Sequence, residues 1–109
     1  MRNFLMATAA AALTAGTAIA GSHSDEIKIG VILGFTGPLE TITPSMGLGA
    51  ELAMKEVTAS GKLLDGATVT PVRGDSTCID AAAATAAAER LITSDKVDAI
   101  MGADCSGVT

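Results

Sequence analysis

The alternation of apolar and polar positions changes period several times along the chain, and each change marks an element. Ile27-Lys28-Ile29-Gly30-Val31-Ile32-Leu33 is β-branched and mostly apolar, which suits a strand buried on both faces of a parallel sheet. Gly34-Phe35-Thr36-Gly37-Pro38 ends it, because glycine and proline punctuate loops. From Pro44 to Ala59 the period becomes helical, with Met46, Ala50, Ala53 and Val57 on one face and Glu51, Lys55 and Glu56 mainly off it. Pro44 suits a first helical turn, Thr43 is expected to cap it, and Gly61 suits the exit. Gly47 and Gly49 weaken the start of this helix. Each costs up to about 1 kcal/mol relative to alanine, so the pair indicates close backbone approach to a loop or a ligand, or simple fraying.

After a turn at Leu64-Asp65-Gly66, Ala67 to Arg73 reads as a second strand, with Pro71 pointing to an edge position. Asp80 is a candidate N-cap for an alanine-rich helix running to about Thr93, with Ala84, Ala88, Leu91 and Ile92 expected to face inward. Val97 to Met101 reads as a short third strand, followed by a loop over residues 102–109. Crossovers of this length permit parallel pairing. The expected fold is therefore α/β, a doubly wound parallel sheet with strand order two, one, three. Three strands flanked by helices bury too little for an independent domain, so residues 21–109 read as an incomplete domain, the first portion of a larger one.

The start of the chain belongs to a different category. Arg2, the apolar or small stretch from Phe4 to Leu13 and the small-x-small triplet Ala18-Ile19-Ala20 form the pattern of a secretory signal peptide over residues 1–20, cleaved near Ala20. Arg2 is the only charged residue in that leader, so the remainder carries six basic and twelve acidic side chains. That balance argues against a nucleic-acid partner, which needs clustered Lys or Arg. An aromatic content of 2% also removes the stacking platforms of single-strand binders. In an oxidising compartment the two cysteines, Cys78 and Cys105, are expected to pair. The one histidine, His23, lies just after the leader, and nothing near the cysteines completes a zinc site. No metal or cofactor is expected.

In open parallel sheets, ligands bind at the carboxyl ends of strands where the chain order reverses. The loops after strands one and three are the candidates, and both are rich in hydroxyls, glycines and backbone N–H groups. Ser106 stands out, since a hydroxyl at a helix start sits beside unpaired N–H groups suited to a carboxylate; the alternative is that it only caps the helix. Enzyme chemistry finds little support. There is no Gly-Lys-Ser/Thr phosphate loop, the glycines do not form a dinucleotide fingerprint, and no base lies near Ser106. Asp75 and Asp104 at strand ends could pair as acid and base, or simply be solvated.

Several segments, taken in order, resemble one family. They are Ile27-Lys28-Ile29-Gly30-Val31 behind a leader, Thr36-Gly37-Pro38 closing the first strand, Gly49-Ala50-Glu51-Leu52-Ala53 in the first helix, Asp75-Ser76-Thr77-Cys78, and Val97-Asp98-Ala99-Ile100-Met101-Gly102 before Cys105-Ser106. The set is similar to periplasmic substrate-binding proteins of the branched-chain amino-acid type of ABC transporter, the type I leucine/isoleucine/valine-binding family. The resemblance implies a two-lobed receptor of which this chain is the first part of lobe I. It implies a small amino-acid-like ligand held between the lobes, delivered to the membrane subunits of an ABC permease. It further implies a Cys78–Cys105 disulfide, a ligand carboxylate held by Ser106 with Gly107 beside it, and a pocket edge formed by Thr36 and by Ile42, which stands where the family often has an aromatic residue. A periplasmic sensory receptor of the same fold is the alternative function.

Overall fold

The computed structural model describes residues 25–109. The leader read over residues 1–20 and His23 lie outside the described residues. Three strands, β1 (Glu26–Leu33), β2 (Thr68–Asp75) and β3 (Ala99–Met101), alternate with two helices, α1 (Thr43–Ser60) and α2 (Ala81–Thr93). A 3₁₀ turn, Ser106–Val108, follows β3. All pairings are parallel and the sheet order is β2-β1-β3. The expected doubly wound order is thus the observed one.

The central strand is buried because both neighbours and both helices cover it: Val31, Ile32 and Leu33 are at most 5% exposed. Alternation along the strands sends side chains to opposite faces. Arg73 faces α1, where its Nε meets Glu51 Oε1 at 2.5 Å. Gly74, the next residue, faces α2, where a Cβ would meet Leu91 Cδ1 at 3.1 Å. α1 and α2 therefore cover opposite faces, the two right-handed crossovers running in opposite directions from the sheet centre.

Local chemistry explains the boundaries. Asp80 caps α2, its carboxylate accepting from the N–H groups of Ala82 and Ala83. Gly61 ends α1 in the left-handed conformation at φ 64°. Pro71, in the middle of β2, removes no ladder bond because β2 is an outer strand among the described residues. β3 is shorter than expected. The backbone at Asp98 does reach Lys28 O, but the Asp98 side chain accepts from Lys28 N and so replaces the backbone partner that would have extended the strand.

One expectation about the helices is corrected. Ile42, not Thr43, occupies the N-cap of α1, and no side chain caps that end. Thr43 lies inside the helix, fully buried, and its hydroxyl donates to Gly34 O at 2.7 Å and Leu39 O at 3.1 Å. On α1 Thr43 and Gly47 are the buried residues, and Ala50, Ala53 and Val57, three of the residues expected to share a face, line an apolar groove with Val69 of β2 and Met101 of β3. Gly47 is buried because the Phe35 ring comes within 2.9 Å of where its Cβ would be; Gly49 meets nothing. On α2, Ala84 and Leu91 are buried as expected, and Ile92, 57% exposed, lines an open groove with Ala84, Ala88 and the strand residues Ile32 and Ile100.

Candidate ligand-binding site

The site grows from the carboxyl edge of the sheet, where three loops meet. The first, between β1 and α1, is anchored from three directions. Gly34 N–H donates to Asp104 Oδ1 at 3.1 Å, Gly34 O accepts the buried Thr43 hydroxyl, and Thr36 is held by Asp75. Asp75 Oδ2 accepts the Thr36 hydroxyl at 2.6 Å, and Oδ1 accepts the N–H groups of Thr36 and Thr77 at 3.2 and 2.9 Å. Partial burial of Asp75 raises its pKa, but the Thr36 hydroxyl and the backbone donors outweigh that and hold the carboxyl below its ordinary value.

The second loop, between β2 and α2, carries Thr77 and Cys78 in the left-handed region at φ 57° and 69°. Such conformations are costly for residues with a Cβ and persist where neighbours fix them. The fixings are visible here. Asp75 takes the Thr77 N–H, the Thr77 hydroxyl accepts from Asp80 N, and Cys78 is bonded to Cys105. Gly34 and Gly37 pack against this loop so tightly that a Cβ would lie 3.0 Å from Cys78 Cβ and 2.5 Å from Thr77 O respectively.

The third loop follows β3. Gly102 adopts φ 120°, and a Cβ there would fall 2.0 Å from Ile32 O, so only glycine fits. The Cys78–Cys105 disulfide joins the second and third loops, with Cα atoms 5.3 Å apart across 27 residues. Beyond it Cys105 is the N-cap of the 3₁₀ turn and Ser106 its first residue. Ser106 does not hold the capping position among the described residues.

Thr36 and Ile42 lie in the loop after β1 and Ser106 and Gly107 follow β3, and all four are exposed, Ile42 at 56%. Gly107 has open space where a Cβ would be. No hydrogen bond joins any of these four to another. Asp75 and Asp104 do not form an acid-base pair: each is committed to the β1–α1 loop, Asp75 from the end of β2 and Asp104 from the loop after β3. That clamp, and the anchoring role of Thr43, escaped the sequence reading. Its one trace in the sequence is an Asp-x-Thr turn motif at residues 75–77.

This hydroxyl-lined edge lies at the reversal of a parallel sheet and is stapled by a disulfide. A family model described as periplasmic binding protein matches residues 26–109. The chain belongs to the periplasmic binding protein family. Among its relatives, the Leu/Ile/Val-binding protein homolog 7 of Brucella abortus is 37% identical over 107 residues, 98% of this chain and 25% of the relative. The chain thus spans about a quarter of the length of the relatives it matches. Two type I periplasmic binding proteins of known structure share its fold. The branched-chain amino acid transporter substrate binding protein of Streptococcus pneumoniae, in complex with isoleucine, has TM-score 0.67 and 32% identity, covering 76% of this chain and 23% of that one. An ABC-type branched-chain amino acid transporter protein of Rhodopseudomonas palustris has TM-score 0.66 and 26% identity over 75% of this chain and 22% of that one. A solute binding protein from the same species, in complex with 3,4-dihydroxybenzoic acid, has TM-score 0.56 and 25% identity, covering 70% and 20%.

Proposed function

We propose that this chain is the opening part of lobe I of an exported, two-lobed solute-binding protein. In this reading it captures a small amino-acid-like ligand between the lobes and delivers it to the membrane subunits of an ABC permease, without catalysing a reaction. Residues 1–20 are its signal peptide and the periplasm its compartment. The observation that carries the reading is the sheet edge itself. Ser106 and Gly107 stand exposed after β3, on a loop pinned by Cys105, across the sheet reversal from Thr36 and Ile42. Groups of that kind bind without reacting.

In this account Ser106 gives its hydroxyl proton to the ligand carboxylate, Gly107 leaves room for the ligand's approach, and Ile42 supplies an apolar contact. Titration calorimetry of the full-length protein with the twenty standard L-amino acids tests the ligand class. Binding by one or more of them supports it. An aromatic acid is the second reading, favoured by the 3,4-dihydroxybenzoic acid bound to one fold neighbour. Binding of that acid with no response to any amino acid would replace the first reading by the second.

A further inference from the structure

Gly34 is gripped by two consecutive residues of the loop after β3. Asp104 does so directly, its Oδ1 accepting the Gly34 N–H at 3.1 Å. Cys105 does so through its disulfide partner, since a Cβ on Gly34 would lie 3.0 Å from Cys78 Cβ. Gly34 itself has little room to yield: it is buried, and its carbonyl accepts the Thr43 hydroxyl at 2.7 Å. The two tethers differ in kind. A single covalent bridge fixes how far the loop stands from the sheet but leaves it free to turn about that bridge. A second bond beside it, made by the preceding residue, removes the turning.

What comes next in the chain depends on that orientation. Cys105 O accepts from Val108 N at 3.0 Å and from the Thr109 hydroxyl at 2.9 Å, so the 3₁₀ turn that carries Ser106 hangs on the direction of the Cys105 carbonyl. The other oxygen of Asp104, Oδ2, is buried without a hydrogen-bond partner among the described residues. An idle buried oxygen is costly, so the bond to Gly34 is the contribution of this side chain. We propose that Asp104 is a positioning residue for Ser106: its bond to Gly34 sets the direction of the turn after Cys105, and so the place where the Ser106 hydroxyl meets the ligand's carboxylate. The inference rests on the amino-acid reading above. Asp104 touches no ligand; it acts through the loop.

Two consequences separate this role from one in the fold alone. Asp104 uses a single oxygen, so an amide, which keeps that acceptor for the Gly34 N–H, should serve in its place. Its effect on the ligand must also pass through Ser106. The test is calorimetry on the full-length protein with the standard L-amino acid that binds the native protein most tightly. Asp104→Leu, close in shape but without an acceptor, should weaken binding about tenfold, the scale of one charge-assisted hydrogen bond. Asp104→Ala is the second variant, with the same expectation, if the leucine prevents folding. Asp104→Asn should stay within about threefold of the native affinity. Added to Ser106→Ala, Asp104→Leu should weaken binding by less than about threefold more. An equal loss in both backgrounds, an asparagine variant as weak as the leucine variant, or native affinity in Asp104→Leu would each overturn the proposal. If no amino acid binds the native protein, or if Ser106→Ala binds as tightly as the native chain, the ligand reading fails and takes this inference with it. A clear loss in Ser106→Ala beside an indifferent Asp104→Leu defeats the inference alone and leaves that reading standing.

Discussion

The side chain of Leu91 fills a hollow left by Gly30, its Cδ1 lying 3.0 Å from where a Cβ on that glycine would stand. Gly74, on the adjoining strand, leaves the other half of the hollow, with the same Cδ1 3.1 Å away. Two glycines on neighbouring strands thus let one leucine of α2 sink fully out of solvent, and the helix approaches the sheet through its alanines.

Packing of this kind is sensitive in both directions. Leu91→Ala should destabilise the protein by about 2 to 5 kcal/mol, the range for a buried leucine that leaves a cavity. Gly30→Ala should cost about 1 to 3 kcal/mol by overpacking. Denaturant unfolding of the full-length variants checks both values. Gly49→Ala, at a helical position where nothing lies near, should instead raise stability by up to about 1 kcal/mol.

The Cys78–Cys105 bond spans 27 residues, and a loop of that length corresponds to about 3 to 4 kcal/mol in a chain-entropy account. Protein recovered from the periplasm should show no free thiol until reduced, and reduction should lower the melting temperature. Two titratable thiols in unreduced material would contradict the pairing.

Much of this fold was legible in the sequence, and the exceptions share a cause. The strand order, the edge placement of Pro71, the Asp80 cap and the Gly61 exit follow from local chemistry, and the structure has all four. The reading failed where tertiary contacts override local preference. Thr43 reads as an N-cap, but a buried carbonyl, Gly34 O, takes its hydroxyl. Gly47 reads as a weak point of α1, but the Phe35 ring packs against it and it is buried. At the site, the loops were readable from glycines and hydroxyls. The two carboxylates that clamp the first loop were not, because their partners, Gly34 and Thr36, lie 70 and 39 residues away in the chain, in the loop after β1.

Asp75 gives a pH prediction with a definite sign. Its folded-state pKa is depressed below the ordinary 3.8, so its contribution to stability is complete above that value and is lost as pH falls through the folded pKa. The Thr36 clamp should therefore survive at any pH above about 4 and weaken only in stronger acid. Carboxyl-carbon NMR of Asp75 checks this, with a midpoint at or above 3.8 as the contrary result.

The helix cap offers a local control on the β2–α2 loop. Asp80→Ala removes the acceptor for the N–H groups of Ala82 and Ala83 and should cost about 1 kcal/mol of stability. Ligand affinity should change by less than about twofold, because Asp80 lies at the start of α2 and not among the four edge residues. A large loss of affinity, measured by calorimetry, would show that the edge tolerates no movement of this loop.

The central claim is that the Ser106 edge holds the ligand's carboxylate, and Ser106→Ala in the full-length protein tests it most directly. Loss of one charge-assisted hydrogen bond, about 1.5 to 3 kcal/mol, predicts roughly 10- to 150-fold weaker amino-acid binding by calorimetry. Since Cys105 and not Ser106 occupies the capping position, the melting temperature of the unliganded variant should stay near the native one. Unchanged affinity for the amino acid that the native protein binds most tightly would contradict the account.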